Sequence, residues 1–282
     1  MIEVVRPGPL ATVQDLGRPG RAHLGVPRSG AADERAFRLA NRLVGNPENA
    51  AGVEFTFGGA ELRFHGRAWI AVTGAPVPVR IDGRAHGTNA PCFVPDGAVV
   101  EVGMPSSGLR SYLAVRGGVV VDEVLGSRST DLLSGLGPAP LAQGDRLPVG
   151  SSEGLACIAV DVAPVSPTPE APVLRILPGP RDDWFAEDAL ATLTSALYEV
   201  SPDSNRVGVR LDGPPLVRAR EGELGSEGMA AGSIQVPPSG LPIVFLADHP
   251  TTGGYPVIAV LASAAVADAA QLRPGQRLRF RV

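Results

Sequence analysis

Charged, amide and hydroxyl side chains gather in three stretches of this 282-residue chain, each set among glycines and prolines that bend the backbone. The first runs Thr12-Val13-Gln14-Asp15-Leu16-Gly17-Arg18-Pro19-Gly20-Arg21 and continues through Gly25-Val26-Pro27-Arg28-Ser29-Gly30-Ala31-Ala32-Asp33. It is too polar for a core segment. It reads as a functional loop, or as a turn in which Asp15 caps the backbone or pairs with Arg18. The second stretch begins at Pro178-Gly179-Pro180-Arg181-Asp182 and resumes at Ser204-Asn205-Arg206-Val207-Gly208. The third joins Glu223-Leu224-Gly225-Ser226-Glu227-Gly228-Met229, Gly232-Ser233-Ile234-Gln235-Val236-Pro237 and Asp248-His249-Pro250-Thr251-Thr252-Gly253-Gly254-Tyr255-Pro256. Arg181 and Arg206 carry the planar fork that grips a carboxylate or phosphate through two hydrogen bonds, while Thr251, Thr252 and the glycine-rich backbone offer neutral donors. Structural salt bridges and ordinary hairpin turns are the competing readings for each of these residues.

Other chemistries are excluded by what the residues cannot do. All 25 basic residues are arginine, so the chain has no lysine for a Schiff base, for pyridoxal phosphate, for a phosphate-binding G-x-x-x-x-G-K-[ST] loop or for covalent biotin. His23, His65, His86 and His249 show no metal-ligand spacing, and no metal site is expected. Gly150-Ser151-Ser152-Glu153-Gly154 matches G-x-S-x-G, but Leu155-Ala156-Cys157-Ile158-Ala159-Val160 reads as a strand where a nucleophile elbow needs a helix. The segment is therefore expected to be a turn. A net charge of −4 with interspersed signs carries no nucleic-acid footprint. Cys92 and Cys157 lie far apart, which suits a reducing compartment. The start of the chain lacks a signal-peptide pattern, and the longest apolar stretch, Val257 to Ala267, is too short to span a membrane. A cytoplasmic, membrane-free protein is the expectation.

The elements that must position these loops are strands. With 35 glycines and 28 prolines, the chain is dense in turns, and apolar runs such as 69–74, 77–83, 98–103 and 112–118 recur, punctuated by turn signals. That spacing predicts a sandwich or barrel. Helical periodicity shows twice. Over Ala32–Val44, Asp33 and Glu34 suit the helix start, Phe37, Ala40 and Val44 share a face, and Gly45 follows; the other segment is Asp182–Tyr198. Turn motifs also repeat in order. Pro7-Gly8-Pro9 recurs as Pro178-Gly179-Pro180, Val26-Pro27-Arg28-Ser29-Gly30 as Val236-Pro237-Pro238-Ser239-Gly240, and Leu141–Leu147 as Leu272–Leu278. Two related β-rich lobes follow, 1–162 and 173–282, joined by a proline-rich linker over 163–172.

The same clusters carry a family resemblance. Thr12–Arg18, Gly25–Asp33, Ser204–Gly208, Glu223–Met229, Gln235–Gly240 and Asp248–Tyr255, in that order, resemble the family called allophanate hydrolase subunit 2, KipA or the C-type subunit of 5-oxoprolinase, which is related to urea amidolyase and to the second half of the urea carboxylase carboxyltransferase domain. The resemblance implies a mainly β fold of two cyclophilin-like β-barrel lobes with a few short helices. It implies a partner resembling KipI or allophanate hydrolase subunit 1, and in one branch a LamB/YcsF-like subunit. The leading expectation is the C-type subunit of a 5-oxoprolinase-like complex, hydrolysing the C–N bond of a small cyclic amide or urea-like substrate with ATP used through the complex. Two alternatives stand beside it. One is the acceptor half of a biotin-dependent carboxyltransferase, with biotin supplied by another protein because this chain has no lysine. The other is a regulator without chemistry that binds a kinase inhibitor.

A lactam carbonyl must be activated before water opens it, so the assembled site needs oxyanion donors and cations for phosphate. Arg181 and Arg206 are the anion-binding candidates, with Arg18, Asn205 and Gln235 in support. Asp15 or Asp248 positions water or relays a proton, or serves as a structural ion-pair partner; Thr252 and Tyr255 orient the amide. Lacking a self-contained nucleophile, metal site or nucleotide motif, the chain is expected to be inactive alone.

Overall fold

Strands dominate, as the short apolar runs require, and the helices are few and short. The computed structural model describes residues 1–164, 169–220, 222 and 224–282. Residues 165–168 of the proline-rich stretch and Glu223 of the third cluster lie outside them. The chain divides into two units, one of residues 1–18, 29–131 and 135–167, the other of residues 19–28, 132–134 and 168–282. Among the described residues no helix is long and apolar enough to cross a membrane.

The first unit contains strands β1 (Ile2–Arg6), β2 (Leu10–Gln14), β3 (Gly52–Thr56), β4 (Ala60–Phe64), β5 (Ala68–Gly74), β6 (Val79–Ile81), β7 (Arg84–His86), β8 (Pro91–Val94), β9 (Val99–Val102), β10 (Arg110–Val115) and β11 (Arg146–Leu147). They form a six-stranded sheet in the order β11-β1-β4-β9-β6-β7 and a five-stranded sheet in the order β2-β3-β10-β5-β8. Ile2, Val4, Leu62 and Val100 from the first sheet and Val13, Val53, Ile70 and Leu113 from the second share one apolar core. Period-2 alternation supplies this inward face. Every residue of β10 is buried, because Leu113 and Val115 meet that core while Tyr112 and Ala114 meet helix α1 (Glu34–Leu43) on the opposite side. Asp33 caps α1 by accepting from the Ala36 N–H at 3.0 Å, Phe37 and Ala40 are buried beneath it, and Gly45 follows with φ 71°.

The second unit contains β12 (Val173–Pro178), β13 (Tyr198–Val200), β14 (Gly208–Asp212), β15 (Glu227–Gly228), β16 (Ser233–Gln235), β17 (Ile243–Phe245), β18 (Thr252–Gly253), β19 (Val257–Leu261) and β20 (Arg277–Arg281), with helices α2 (Ala189–Ser195) and α3 (Ser263–Ala269). Seven strands close into a barrel in the order β12-β19-β16-β17-β14-β13-β20. The seam is a parallel pairing of β20 with β12, Leu174 opposite Phe280. Leu174, Ile176, Leu278 and Phe280 are buried while Arg175 and Arg279 are exposed, the alternation of a barrel wall. Strands β15 and β18 form a separate two-stranded ribbon.

The chain is thus mainly β, with a closed barrel in the second unit and two facing sheets in the first. The repeated turn before the last strand of each unit has one geometry. Gly144 N–H donates to Val4 O and Gly275 N–H to Val200 O, both at 2.8 Å, while Asp145 and Gln276 accept from the N–H three residues upstream. The strands that follow pair differently: β11 runs antiparallel to β1, but β20 runs parallel to β12.

Two expectations are corrected. Residues 155–160 form no strand; the Arg116 guanidinium donates to Leu155 O and Ala156 O, engaging carbonyls that a sheet would use. The helical segment 182–198 is also interrupted. Phe185 is extended and bridges to Arg218, leaving one turn at Asp182–Trp184 and the short α2, while Tyr198 opens β13.

Candidate functional site

The motifs of the second unit converge on the loops after β17 and β18. Before β14, Asn205 Oδ1 accepts from the N–H groups of Val207 and Gly208 at 2.8 and 3.4 Å, a turn in which the amide replaces a backbone acceptor. Asp248 N–H donates to Arg206 O, and Leu246 N–H to Val207 O, so the loop after β17 is stitched to this turn. The Arg206 side chain, 1% exposed, grips Asp248, 0% exposed, through Nε to Oδ2 at 2.9 Å and Nη2 to Oδ1 at 3.1 Å. Leu132 N–H also donates to Asp248 Oδ2 at 3.1 Å.

A bidentate pair this deeply buried holds two loops together, each charge offsetting the desolvation of the other. Arg206 and Asp248 therefore come together as partners, Arg206 using the fork that was expected to grip a ligand. The acid, Asp248, lies 42 residues further along the chain.

His249 follows directly. Its ring is largely buried, lies tilted against Phe245 at 6.3 Å between centroids, and places Nδ1 2.8 Å from Pro250 O. A carbonyl can only accept, so Nδ1 carries a proton, and in the neutral ring the lone pair is on Nε2. An imidazole fixed in this tautomer has the form of a general base.

Around it, Gln235 on β16 donates through Nε2 to Tyr255 O at 3.1 Å and approaches the Met229 sulfur at 3.8 Å. A Cβ at Gly253 would lie 2.6 Å from Gln235 Nε2, so a side chain there would displace the Gln235 amide. The ribbon pairs Gly228 with Thr252, leaving Thr252 exposed, and the Arg218 guanidinium lies 5.6 Å from the Tyr255 ring centroid. Arg181 donates through Nε and Nη2 to Glu227, Nε lying 2.9 and 3.0 Å from its two oxygens. That hydrogen bond holds the Glu227 carboxyl below its ordinary pKa and raises that of Arg181. A groove of about 410 Å³ beside this loop is lined by Asp182, Asp183 and Glu187 with Phe185, Leu190 and Ile258, a lining suited to cations and not to anions.

In the first unit Asp15 is encircled by donors. Its Oδ1 accepts from Gly17 N–H at 2.8 Å, Ser127 Oγ at 2.6 Å and Ser129 Oγ, and its Oδ2 from Arg128 N–H at 2.6 Å. Arg18 does not pair with it. Arg18 donates from Nε to Val124 O at 3.3 Å and from Nη2 to Ser129 O. Gln14 Nε2 donates to Thr130 O and Thr12 Oγ1, both at 3.0 Å. Thus Gln14, Asp15 and Arg18 all fasten onto residues 124–130.

The family model described as "Carboxyltransferase domain, subdomain A and B" matches residues 24–282. The chain belongs to this carboxyltransferase-domain family. It is 39% identical to the C-type subunit of 5-oxoprolinase from Escherichia coli K12 over 283 aligned residues, covering 99% of this chain and 90% of that protein. The solved structure of TTHA0988 superposes with a TM-score of 0.90 at 37% identity, covering all of this chain but only 55% of that one. The urea carboxylase of Kluyveromyces lactis gives a TM-score of 0.90 at 33% identity, with 99% of this chain matched to 27% of that chain. The family assignment embraces both the 5-oxoprolinase and the urea carboxylase branches.

Two features of this carboxyltransferase-family chain escaped the reading of its motifs. His249 lacks ligand spacing to any other histidine, and its bond to Pro250 O is visible only in three dimensions. The hydroxyl-rich run Ser127-Arg128-Ser129-Thr130-Asp131 holds Asp15, and its signal was a dense polar segment that folding buries.

Proposed function

We propose that this chain is the C-type subunit of a 5-oxoprolinase-like complex, opening the amide bond of 5-oxoproline or a similar small cyclic amide at the expense of ATP. The observation that supports this reading most is the identity of 39% to the E. coli protein running along 90% of its length. A C-type subunit implies companions. In this proposal they are a KipI-like protein and a LamB/YcsF-like protein, assembled in the cytoplasm, with ATP used through the complex.

Within this chain His249 is the base candidate, since Nε2 is the nitrogen left to take a proton from water. The Arg206–Asp248 pair positions it by tying its loop to the turn before β14. Gln235 orders the backbone at Tyr255, while Thr252 and Tyr255 border the ribbon from which an amide could be oriented. Arg181 is held by Glu227 and meets an anion only by exchanging that partner. The test is reconstitution with the two partner types, measuring ATP hydrolysis with 5-oxoproline and, separately, urea carboxylation with a carboxybiotin carrier. Dependence on 5-oxoproline is expected. Carboxylation of urea without amide opening would transfer the chain to the carboxyltransferase reading.

A further inference from the structure

The two arginines of the second unit that were expected to receive an anion are both engaged, Arg206 by Asp248 and Arg181 by Glu227. Arg220 likewise pairs with Asp183 at 2.7 Å. Arg218 differs. Among the described residues it makes no ion pair, and the acceptor it does have is neutral, Nη2 donating to Val236 O at 2.6 Å. Its Nε is enclosed without an acceptor, whereas Nη1 makes no hydrogen bond among the described residues and stays open to solvent.

The half-buried side chain is nonetheless held in place. Its backbone is fixed on both sides, Ala186 N–H donating to Val217 O at 3.0 Å and Ala219 N–H to Trp184 O at 2.9 Å. The guanidinium stacks on Tyr255, 5.6 Å from the ring centroid. Tyr255 is itself anchored, since Gln235 Nε2 donates to Tyr255 O at 3.1 Å and Val236 N–H to Pro256 O at 3.1 Å. Val236 therefore holds Arg218 through its carbonyl and the residue after Tyr255 through its amide. A cation on an aromatic face, with one nitrogen tied to a carbonyl and another left open, has given up much of its rotamer freedom before a ligand arrives. It lacks an anionic acceptor, and a carboxylate is a group that its planar donors match.

We infer that Arg218 receives the carboxylate of the substrate through Nη1, so that the site selects cyclic amides bearing a carboxylate, as 5-oxoproline does, over neutral amides and urea. This inference rests on the amide-opening reading and makes Arg218 its specificity-determining residue. Urea carries no charge and gives Arg218 nothing to grip.

The test uses the reconstituted complex with 5-oxoproline and with 2-pyrrolidinone, the same ring without the carboxylate, following ATP hydrolysis and, by calorimetry, Kd. Arg218→Gln keeps a donor for Val236 O and removes the charge, so KM and Kd for 5-oxoproline should rise about tenfold or more while any turnover of 2-pyrrolidinone is unchanged. Arg218→Lys restores the charge without the planar fork and should recover part of that loss. Melting temperature reports folding; if Arg218→Gln is unfolded, Arg218→Lys decides, with weaker binding of 5-oxoproline and unchanged 2-pyrrolidinone expected. Unchanged binding of 5-oxoproline in the folded variants, or an equal loss for both lactams, would overturn the assignment. If the native complex turns over neither lactam, the amide-opening reading fails by itself and Kd decides Arg218 separately. Binding of 5-oxoproline that Arg218→Gln weakens then keeps the assignment, and binding that is absent or unweakened removes it.

Discussion

A buried ion pair is worth most to the fold at the moment one member is removed. Arg206→Met strands Asp248 in a site where it is 0% exposed, so a loss of about 3–5 kcal/mol in stability is expected, read from denaturant titration. A double-mutant cycle with Asp248→Asn should then show strong non-additivity. The Arg181–Glu227 pair behaves differently because it is partly exposed and pH-sensitive. Glu227 has a folded pKa below its ordinary 4.5, so its contribution is present above that value and fades as pH falls through the folded pKa. Glu227→Gln should flatten that acid limb in a pH series of melting temperatures. Asp15, by contrast, was legible as a capping turn, which its bond from Gly17 N–H forms, but its other donors, from Ser127, Arg128 and Ser129, lie more than a hundred residues away and no local pattern announces them.

At the scale of elements, α1 and the strands of the first sheets were readable because their periodicity is local: Asp33 caps the helix and Phe37 and Ala40 line its buried face. Asp33→Ala should cost about 1 kcal/mol, measured by thermal unfolding. Two elements resisted for tertiary reasons. Residues 155–160 have strand composition, yet among the described residues they pair with no strand, and Arg116 claims two of their carbonyls. The helix over 182–198 is divided because Phe185 and Tyr198 belong to β-type pairings. Tyr198 also sets a test of the barrel. Burial raises its pKa from 10.0 to about 12, so the stability tied to the neutral phenol is full below pH 10.0 and is lost as pH rises toward about 12. Tyr198→Phe should remove that part of the alkaline unfolding.

At the scale of the whole chain, turn motifs in order pointed to two β-rich parts, and the same capped turn does recur before β11 and β20. A barrel was expected, but which strands close it could not be read. Parallel pairing of β20 with β12 joins residues about a hundred positions apart, and that pairing makes the second unit a barrel while the first keeps two sheets. This chain matches 90% of the length of a 5-oxoprolinase subunit and a smaller fraction of longer relatives, and the activity proposed for it is one of an assembly. The most direct measurement is 5-oxoproline-dependent ATP hydrolysis by the KipI-like and LamB/YcsF-like partners, with this chain omitted, added, or added as His249→Gln. The account predicts turnover only when the native chain is added, and at least a hundredfold lower kcat with His249→Gln at an unchanged melting temperature, the range expected for loss of a general base. Full turnover without this chain, or with His249→Gln in its place, would contradict it.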